Sequence, residues 1–416
     1  MKTKFLGYRC SLCGKEYEPG FIQYVCPVDG GNLDVILDYD HIRQTYAIDD
    51  IISRTNYSLW RYLPLLPVRS PGGEATPLHS SGGTPLYRPE SLRASLGLRD
   101  LWVKDEGRNP SASLKDRASA VVITRARELE ARVVVTASTG NAGAALSVMA
   151  AAIGQEVVIF APRTAPIAKV AQLLVYGSRV ILVDGSYDDA FDLSIQASQE
   201  FGWYCRNTGY NPFTVEGKKT VSFEIWEKVL LELNQSQQPL NIFVSVGDGN
   251  IISGVHKGFK DLQALGWLEK TPRIFGVQSS GSAAIANAFW SGSEQIVPVK
   301  ANTLADSIAV DLPRDGVRAV RAARETHGSF ILVEDKEILT AISELGRAGI
   351  FAEPAGAASY AGLKKAVQTQ LLDPEESVLV ISTGSGLKDV RAAIQAVGEA
   401  PVIQPSMPAL KKFLKL

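Results

Sequence analysis

Ser111-Ala112-Ser113-Leu114-Lys115-Asp116-Arg117 is the segment from which we predict the architecture and the chemistry of this chain. It joins a polar loop to a helical run at residues 118–130. Either serine is predicted to cap that helix, because a hydroxyl there accepts hydrogen bonds from the first turn. Lys115 then lies in the first turn, where the helix dipole disfavours a cation. If burial also removes water from the amine, its pKa falls and it becomes a usable nucleophile.

The composition limits the class of protein. The chain has 416 residues, enough for two or three domains, and its 45% hydrophobic and 21% charged content is typical of a soluble globular protein. A net charge of −1 gives no attraction to nucleic acid or to an anionic membrane. The longest nearly apolar run, residues 142–153, is too short to span a bilayer. Because the first five residues contain no apolar signal region, we expect a cytoplasmic protein.

The first 35 residues form a separate, zinc-ribbon-like segment. Cys10-Ser11-Leu12-Cys13-Gly14 is typical of one zinc knuckle, and residues 24–31 resemble a second, in which Asp29 replaces the fourth cysteine. Three cysteines and an aspartate are a weaker zinc signal than four cysteines. The sequence therefore favours a ribbon that keeps its fold without a metal, and leaves open whether Cys10, Cys13 and Cys26 bind zinc.

From residue 100 onward, β-branched runs alternate with helical stretches. The predicted strands are residues 101–104, 133–136, 157–160, 180–183, 242–246, 274–277 and 378–381, and helices are predicted at 142–153, 166–176 and 187–201. This alternation predicts parallel βαβ units with both sheet faces covered. We expect an α/β protein with two doubly wound domains and a cleft between them. The large domain is residues 36–115 and 209–400, the small domain 116–208, and the C-terminal tail 401–416.

Three glycine-rich loops each follow a predicted strand and precede a helix. They are residues 138–143, 247–250 and 382–386. In a parallel sheet these positions are the carboxyl ends of strands, where ligands bind. Glycine lets the backbone approach a ligand closely, and the helix behind it offers free N–H groups to an anion.

The sequence lacks the motifs of other common catalytic and nucleotide-binding sites. The four histidines lie beside no serine or cysteine nucleophile motif and have no metal-ligand spacing, which argues against a catalytic triad or a zinc hydrolase. Neither a dinucleotide fingerprint nor a P-loop is present. A phosphate-bearing cofactor that a lysine can hold as an imine meets the remaining requirements, and pyridoxal phosphate is such a cofactor.

From about residue 76 to 390, the chain resembles the threonine synthase branch of the fold-type-II pyridoxal-phosphate enzymes, whose fold is like that of the tryptophan synthase β subunit. Residues 109–117 are similar to that family's N-P-T-G-S-F-K-D-R segment, and residues 138–143 to its S-T-G-N-A-G loop. Residues 211–220, N-P-F-T-V-E-G-K-K-T, resemble a stretch more particular to threonine synthases. The E-P-A-G-A-A run at 353–358 is shared with dehydratases, so it supports the fold more than the activity.

The resemblance implies a role for each matched residue. Lys115 would carry the Schiff base and be the catalytic residue, Asn141 would bond the cofactor's phenolic oxygen, and Thr383 would face its pyridine nitrogen. The cradle for the cofactor phosphate would consist of Gly247, Asp248, Gly249, Asn250 and Ile251. The substrate would be bound by Ser113, Ser138 and Thr139.

The resemblance also implies an activity in threonine biosynthesis. The expected enzyme is a lyase that converts O-phospho-L-homoserine and water to L-threonine and phosphate, and the expected assembly is a homodimer. Two departures keep the substrate open: residues 305–314 lack the arginine of the family's A-T-A-I-R-I-G-N-P segment, and Ser385 replaces a histidine. β-Replacement on O-phosphoserine, as in cysteate synthase, and a serine or threonine dehydratase remain alternatives. A third alternative is a small-molecule-binding protein without catalytic activity.

Overall fold

The computed structural model describes residues 4–20, 24–52, 56–233 and 239–415. The strands are β1 (Phe5–Cys10), β2 (Glu16–Tyr17), β3 (Leu33–Leu37), β4 (Leu86–Tyr87), β5 (Asp100–Asp105), β6 (Val133–Ala137), β7 (Glu156–Pro162), β8 (Arg179–Val183), β9 (Tyr204–Cys205), β10 (Leu240–Ser245), β11 (Arg273–Ser279), β12 (Phe330–Val333) and β13 (Ser377–Ser382). Residues 1–3, on which part of the signal-peptide prediction rests, lie outside the described residues. So do residues 21–23 of the ribbon and the last residue of the predicted tail.

α-Helices make up most of the remaining regular structure of the described chain. They are α1 (Tyr39–Thr45), α2 (Ile48–Ile51), α3 (Glu90–Leu96), α4 (Lys115–Glu128), α5 (Asn141–Ala151), α6 (Ile167–Val175), α7 (Tyr187–Phe201), α8 (Phe213–Lys218), α9 (Thr220–Ile225), α10 (Leu231–Leu233), α11 (Asn250–Ala264), α12 (Ala284–Trp290), α13 (Gly316–Glu325), α14 (Asp335–Arg347), α15 (Pro354–Gln368), α16 (Val390–Val397) and α17 (Met407–Leu414). Among the described residues, no helix is both long enough and apolar enough to cross a bilayer.

The described strands form three sheets. A small antiparallel sheet has the order β2-β1-β3, a four-stranded sheet the order β8-β7-β6-β9, and a six-stranded sheet the order β12-β11-β10-β13-β5-β4. All strand pairs in the two larger sheets are parallel except β4 with β5. The prediction of parallel βαβ units is therefore confirmed, and every strand predicted from residue 100 onward is present.

Burial explains why these runs form central strands. Every residue of β6, β10 and β13 is buried, as expected for parallel strands with helices on both faces. In the six-stranded sheet, the rings of Phe243 and Phe275 stack at a centroid distance of 4.9 Å between β10 and β11. The predicted domain boundaries stay a proposal, and the division of the strands between the two sheets supports them.

Candidate active site

A cleft of about 550 Å³ lies at the carboxyl ends of strands from both large sheets. Its size is within the range of small-molecule sites. The residues that line it include Lys115, residues 138–142 after β6, residues 247–251 after β10, and Thr383 after β13. The three glycine-rich loops and the lysine thus meet at one place, although the third loop leads into a 3-10 turn at Gly386–Lys388 before α16 begins.

The start of α4 differs from the prediction. Lys115 is the first helical residue, but Leu114 occupies the cap position and no side chain caps the helix. Ser111 instead donates from its backbone N–H and its hydroxyl to the carboxylate of Asp116. The predicted serine cap is therefore wrong. The segment is held from outside the helix, because the N–H of Leu114 donates to the carbonyl of Thr383 at 2.9 Å.

The pKa of Lys115 is lowered to about 8. The largest cause is the loss of water around the amine, and the nearby guanidinium of Arg206 lowers the pKa further, whereas Glu353 and Asp248 oppose the shift. A free amine is therefore far more abundant near neutral pH than for an ordinary lysine. Such an amine can attack a carbonyl carbon or accept a proton.

The turn after β10 has a backbone that requires glycine. Gly249 has a φ of +89°, and a β-carbon on it would lie 2.5 Å from the carbonyl oxygen of Asp315. Asn250, the first residue of α11, is fixed by a 2.7 Å hydrogen bond from its amide to the Asp315 carboxylate. Because the first N–H groups of a helix lack partners within it, this turn presents donors suited to an anion.

Two cations in the cleft wall lack carboxylate partners. Nη2 of Arg206 is buried without a hydrogen bond, while Nη1 donates to Thr208 at 2.6 Å. Burial lowers the pKa of Arg206 to about 10. Burial, with repulsion from Lys115 and Arg206, also holds the pKa of Lys218 well below its usual range, and its amine donates only to the side chain of Asn250. Within the described chain, neither cation forms an ion pair.

Sequence reasoning missed Arg206 and the cleft role of Glu353. Arg206 follows β9, whose two residues make no hydrophobic run that would reveal a strand. Glu353 is buried and accepts hydrogen bonds from the amide of Asn141 at 2.8 and 3.0 Å. Burial is the main reason why its pKa is raised. A carboxylate directly before the helix-starting Pro354 was the available signal, but the family resemblance had assigned that run to the fold.

Not every predicted residue reaches the cleft. Ser138 and Thr139 line it, and so do Asn141, Thr383 and the five residues of the predicted phosphate cradle. Ser113 is fully buried, its hydroxyl has no hydrogen-bond partner among the described residues, and it does not line the cleft. The geometry therefore gives no support to the prediction that Ser113 contacts substrate.

The segment that departs from the family pattern also faces the cleft. Residues 306–312 line it, and the carboxylate of Asp306 pairs with the amine of Lys169 from α6 at 2.5 Å. That ion pair joins the two sides of the cleft. This departure therefore lies in the cleft wall, whereas Ser385, the other departure, does not line the cleft.

Known proteins match the whole of this site. The model of the pyridoxal-phosphate dependent enzyme family matches residues 78–384. The chain is 39% identical to the threonine synthase of Methanocaldococcus jannaschii over 98% of its own length and 99% of that protein's. It is 37% identical to the threonine synthase of Methanosarcina acetivorans over 98% of both chains. The chain belongs to the threonine synthase family of pyridoxal-phosphate-dependent enzymes.

Solved structures of other enzymes share the fold. The processed form of threonine deaminase isoform 2 from Solanum lycopersicum superposes with a TM-score of 0.65 at 23% identity, covering 82% of this chain and 94% of that one. Maize serine racemase superposes with a TM-score of 0.61 at 26% identity, covering 73% and 88%. The expected fold class of the two larger units is therefore confirmed.

The residues of the cleft fit the family's cofactor. An aldehyde needs an amine of lowered pKa, which Lys115 provides. A phosphate needs backbone donors and cations, which the turn at residues 247–251 and the unpaired Lys218 provide. A pyridine nitrogen held beside the neutral hydroxyl of Thr383, which lines the cleft, would stay largely unprotonated. Each part of pyridoxal phosphate thus has a chemically suitable partner in the cleft.

Proposed function

We propose that this chain converts O-phospho-L-homoserine and water to L-threonine and phosphate. The proposal depends on one observation: two buried basic side chains of the cleft, Arg206 and Lys218, form no ion pair in the described chain. Burial lowers the pKa of both groups and raises the pKa of the cleft carboxylates Asp248 and Glu353. A cofactor phosphate and a substrate phosphate would supply the anions that keep the two basic groups charged. Threonine synthases that match the full length of the chain support the same activity.

We assign the cofactor contacts as follows. The amine of Lys115 would bind the aldehyde carbon, and Asn141, oriented by Glu353, would donate to the phenolic oxygen. The turn at residues 247–251 and Lys218 would hold the phosphate. Thr383, whose hydroxyl lies 3.5 Å from that of Ser245, would contact the pyridine nitrogen. When bound, the cofactor withdraws electrons from the substrate's α-carbon.

Arg206 is the residue that we assign to the substrate phosphate. The strand that precedes it, β9, pairs in parallel with β6, and the N–H of Arg206 donates to the carbonyl of Val135 at 2.8 Å. The carboxyl ends of both strands therefore meet, which puts Arg206 on the same side of the cleft as Ser138 and Thr139. A guanidinium and two hydroxyls form a donor set that suits a phosphate monoester.

Lys115 is the proton carrier of the reaction. The net change breaks the bond between Cγ and the phosphate oxygen, which leaves with the electron pair, and forms a bond between Cβ and the oxygen of water. One proton must leave Cα and later return to it, and one proton must move from Cβ to Cγ, while the remaining proton of water goes to the phosphate that leaves. An amine with a pKa of about 8 can take and return them near neutral pH.

A second candidate is supported by the segment at residues 305–314. Asp306 uses the cation of Lys169 for an ion pair across the cleft, so this cation is less available to a substrate phosphate. A substrate with a shorter chain, such as O-phosphoserine in β-replacement, would depend less on that side of the cleft. The altered segment also supports the separate alternative of a dehydratase that acts on serine or threonine, which carry no phosphate.

Three separate incubations of the holoenzyme test the proposal. O-phosphohomoserine, O-phosphoserine and threonine are each supplied, and phosphate, amino acids and keto acids are quantified, with Lys115→Ala as the inactive control. We expect threonine and phosphate in equal amounts from the first substrate only. Phosphate released only from O-phosphoserine, or a keto acid from threonine, would replace the proposal with the corresponding alternative.

We also propose that the protein is a cytoplasmic homodimer without affinity for nucleic acid. The net charge of −1 supports the last point. Light scattering of the purified holoenzyme measures the mass of the assembly. A mass of one chain would contradict the dimer.

A further inference from the structure

Four potential metal ligands converge in the ribbon, away from the cleft. The Sγ atoms of Cys10, Cys13 and Cys26 and a carboxylate oxygen of Asp29 all lie within 4.8 Å of one another. We propose that these four residues bind one zinc ion. Because all four positions would be filled by protein, the site would be structural rather than catalytic.

The two knuckles have the same backbone geometry, which places Asp29 in the position of a fourth cysteine. In the first, the N–H of Cys10 donates to the carbonyl of Lys15 at 2.8 Å, and the N–H of Gly14 donates back to Cys10 at 3.1 Å. The second repeats both bonds, with 2.8 Å from Cys26 to Gly31 and 2.8 Å from Gly30 to Cys26. Asp29 therefore corresponds to Cys13.

The glycine that ends each knuckle supports this equivalence. Gly14 has a φ of +74° and Gly30 a φ of +71°, a conformation that side chains disfavour. The sequence signal was weak only because the fourth ligand is not a cysteine. Carboxylate oxygen is an accepted zinc ligand when it completes a thiolate set.

The distances between ligand atoms match a tetrahedral zinc site. With zinc–sulfur bonds of about 2.3 Å and zinc–oxygen bonds of about 2.0 Å, two sulfurs should be about 3.8 Å apart and a sulfur and an oxygen about 3.5 Å. The sulfurs of Cys13 and Cys26 are 3.8 Å apart. The sulfur of Cys10 lies 3.3 and 3.5 Å from the two carboxylate oxygens of Asp29.

Hydrogen-bond donors surround the ligands in the way that a thiolate site requires. The N–H of Leu12 donates to the sulfur of Cys10 at 3.3 Å, and the hydroxyl of Tyr17 lies 3.0 Å from the sulfur of Cys26. The N–H of Gly31 donates to the carboxylate of Asp29 at 2.9 Å. Three thiolates and one carboxylate exceed the charge of a zinc ion, and such donors stabilise the excess negative charge.

Contacts between the ribbon and α13 would let the metal also stabilise the residues around the cleft. Arg318 of α13 donates to the carboxylate of Asp34 in β3 at 2.7 Å and also pairs with Asp315. Asp315 in turn holds Asn250 at the start of the anion-binding turn. Ribbon and cleft thus share a support, although no ligand of the proposed zinc lines the cleft.

The test is the metal content of the purified holoenzyme. We expect about one zinc per chain in the wild type, since a closed thiolate site holds zinc tightly. Zinc should be lost in Cys13→Ala and in Asp29→Ala, but kept in Asp29→Cys, which restores four sulfurs. Cys205→Ala, which removes a buried thiol outside the ribbon, is the matched control and should keep its zinc.

Cobalt exchange keeps the proposal falsifiable if a variant fails to fold. Chelated wild-type protein refilled with Co²⁺ should show the intense visible d–d absorption of tetrahedral cobalt, at wavelengths beyond the cofactor bands. Chelation should also lower the thermal midpoint, and added zinc should restore it. Wild-type protein without zinc, unchanged zinc in Cys13→Ala, or a Cys13–Cys26 disulfide in non-reducing peptide maps would overturn the proposal.

Discussion

Two cations on the first turn of α4 have opposite surroundings. Arg117 is fully buried and donates to both oxygens of Glu106 and both oxygens of Glu224, at 2.7–2.9 Å. Burial alone would lower the pKa of Arg117, but the two carboxylates raise it above its usual range. Lys115, two residues earlier, forms no ion pair in the described chain, and burial lowers its pKa to about 8.

The difference distinguishes a cluster that stabilises the fold from one that binds ligands. In the core cluster, Arg117 and Lys104 balance Glu106 and Glu224, and Lys104 pairs with Glu224 at 2.6 Å. The cleft instead holds cations without carboxylate partners, so anions from outside must complete their hydrogen bonds. Removing one partner of a balanced buried cluster should therefore cost stability, whereas an unbalanced cluster indicates a binding site.

Replacing Lys115 should give the largest effect, and only on turnover. We expect Lys115→Ala to lower turnover by at least about 10³-fold, because the variant lacks both the attachment point and the proton carrier. The free energy of unfolding should not fall, since the substitution removes a poorly hydrated amine. Threonine formation and urea unfolding measure the two quantities. Turnover within about tenfold of the wild type would show that Lys115 is not the catalytic residue.

Replacing Arg117 should affect stability instead. Arg117→Met leaves two buried carboxylates without their main partner, which should cost about 3–5 kcal/mol in the free energy of unfolding. The matched control adds Glu106→Gln and Glu224→Gln to the same chain, and should recover part of the loss by removing both negative charges. Urea unfolding of the cofactor-free proteins measures each value. A loss below about 1 kcal/mol for Arg117→Met would show that the core cluster is not a stabilising unit.

Arg206 tests whether an unpaired buried cation binds the substrate. Arg206→Met should raise the KM for O-phosphohomoserine about tenfold to a hundredfold, the loss expected for charge-assisted hydrogen bonds to a phosphate. Its unfolding free energy should change by less than about 1 kcal/mol, because no ion pair is broken. Steady-state kinetics and urea unfolding separate the two effects. An unchanged KM together with a large loss of stability would show that Arg206, like Arg117, stabilises the fold and does not bind the substrate.

Local sequence patterns were sufficient to predict the scaffold of the cleft. Buried strands such as β6 and β10 have continuous apolar runs, and the glycine loops directly follow them. Parallel strands place such loops at one edge of a sheet, so their convergence with Lys115 required no knowledge of distant contacts.

The remaining features depend on contacts between distant parts of the chain. The predicted cap is wrong because the hydroxyl of Ser111 donates to Asp116 instead of accepting from the first turn, and the carbonyl of Thr383 holds Leu114. The unpaired state of Arg206 cannot be inferred from its neighbours in sequence, since it results from what packs around β9. The ribbon shows the same limit: the sequence aligns Asp29 with a fourth cysteine, but only the structure shows that the four side chains converge.

The smallest expected effect concerns Ala112, which lies between the core cluster and Lys115. Its φ of +64° is a left-handed conformation that costs an L-residue about 1–2 kcal/mol. Ala112→Gly should therefore raise the unfolding free energy by about 0.5–1 kcal/mol, after the greater backbone entropy of glycine in the unfolded chain is subtracted. Ala94→Gly, in the exposed interior of α3, is the matched control and should lose a similar amount.

The two alanine variants separate strain from function. If the left-handed residue serves only to connect the two regions, Ala112→Gly should keep the wild-type KM and turnover while its thermal midpoint rises. Lower turnover at higher stability would show instead that the strained alanine helps to hold Lys115 against the cofactor. Equal destabilisation in both variants would mean that the environment of Ala112 compensates for its backbone. The backbone at Ala112, between the core cluster and Lys115, would then store no strain.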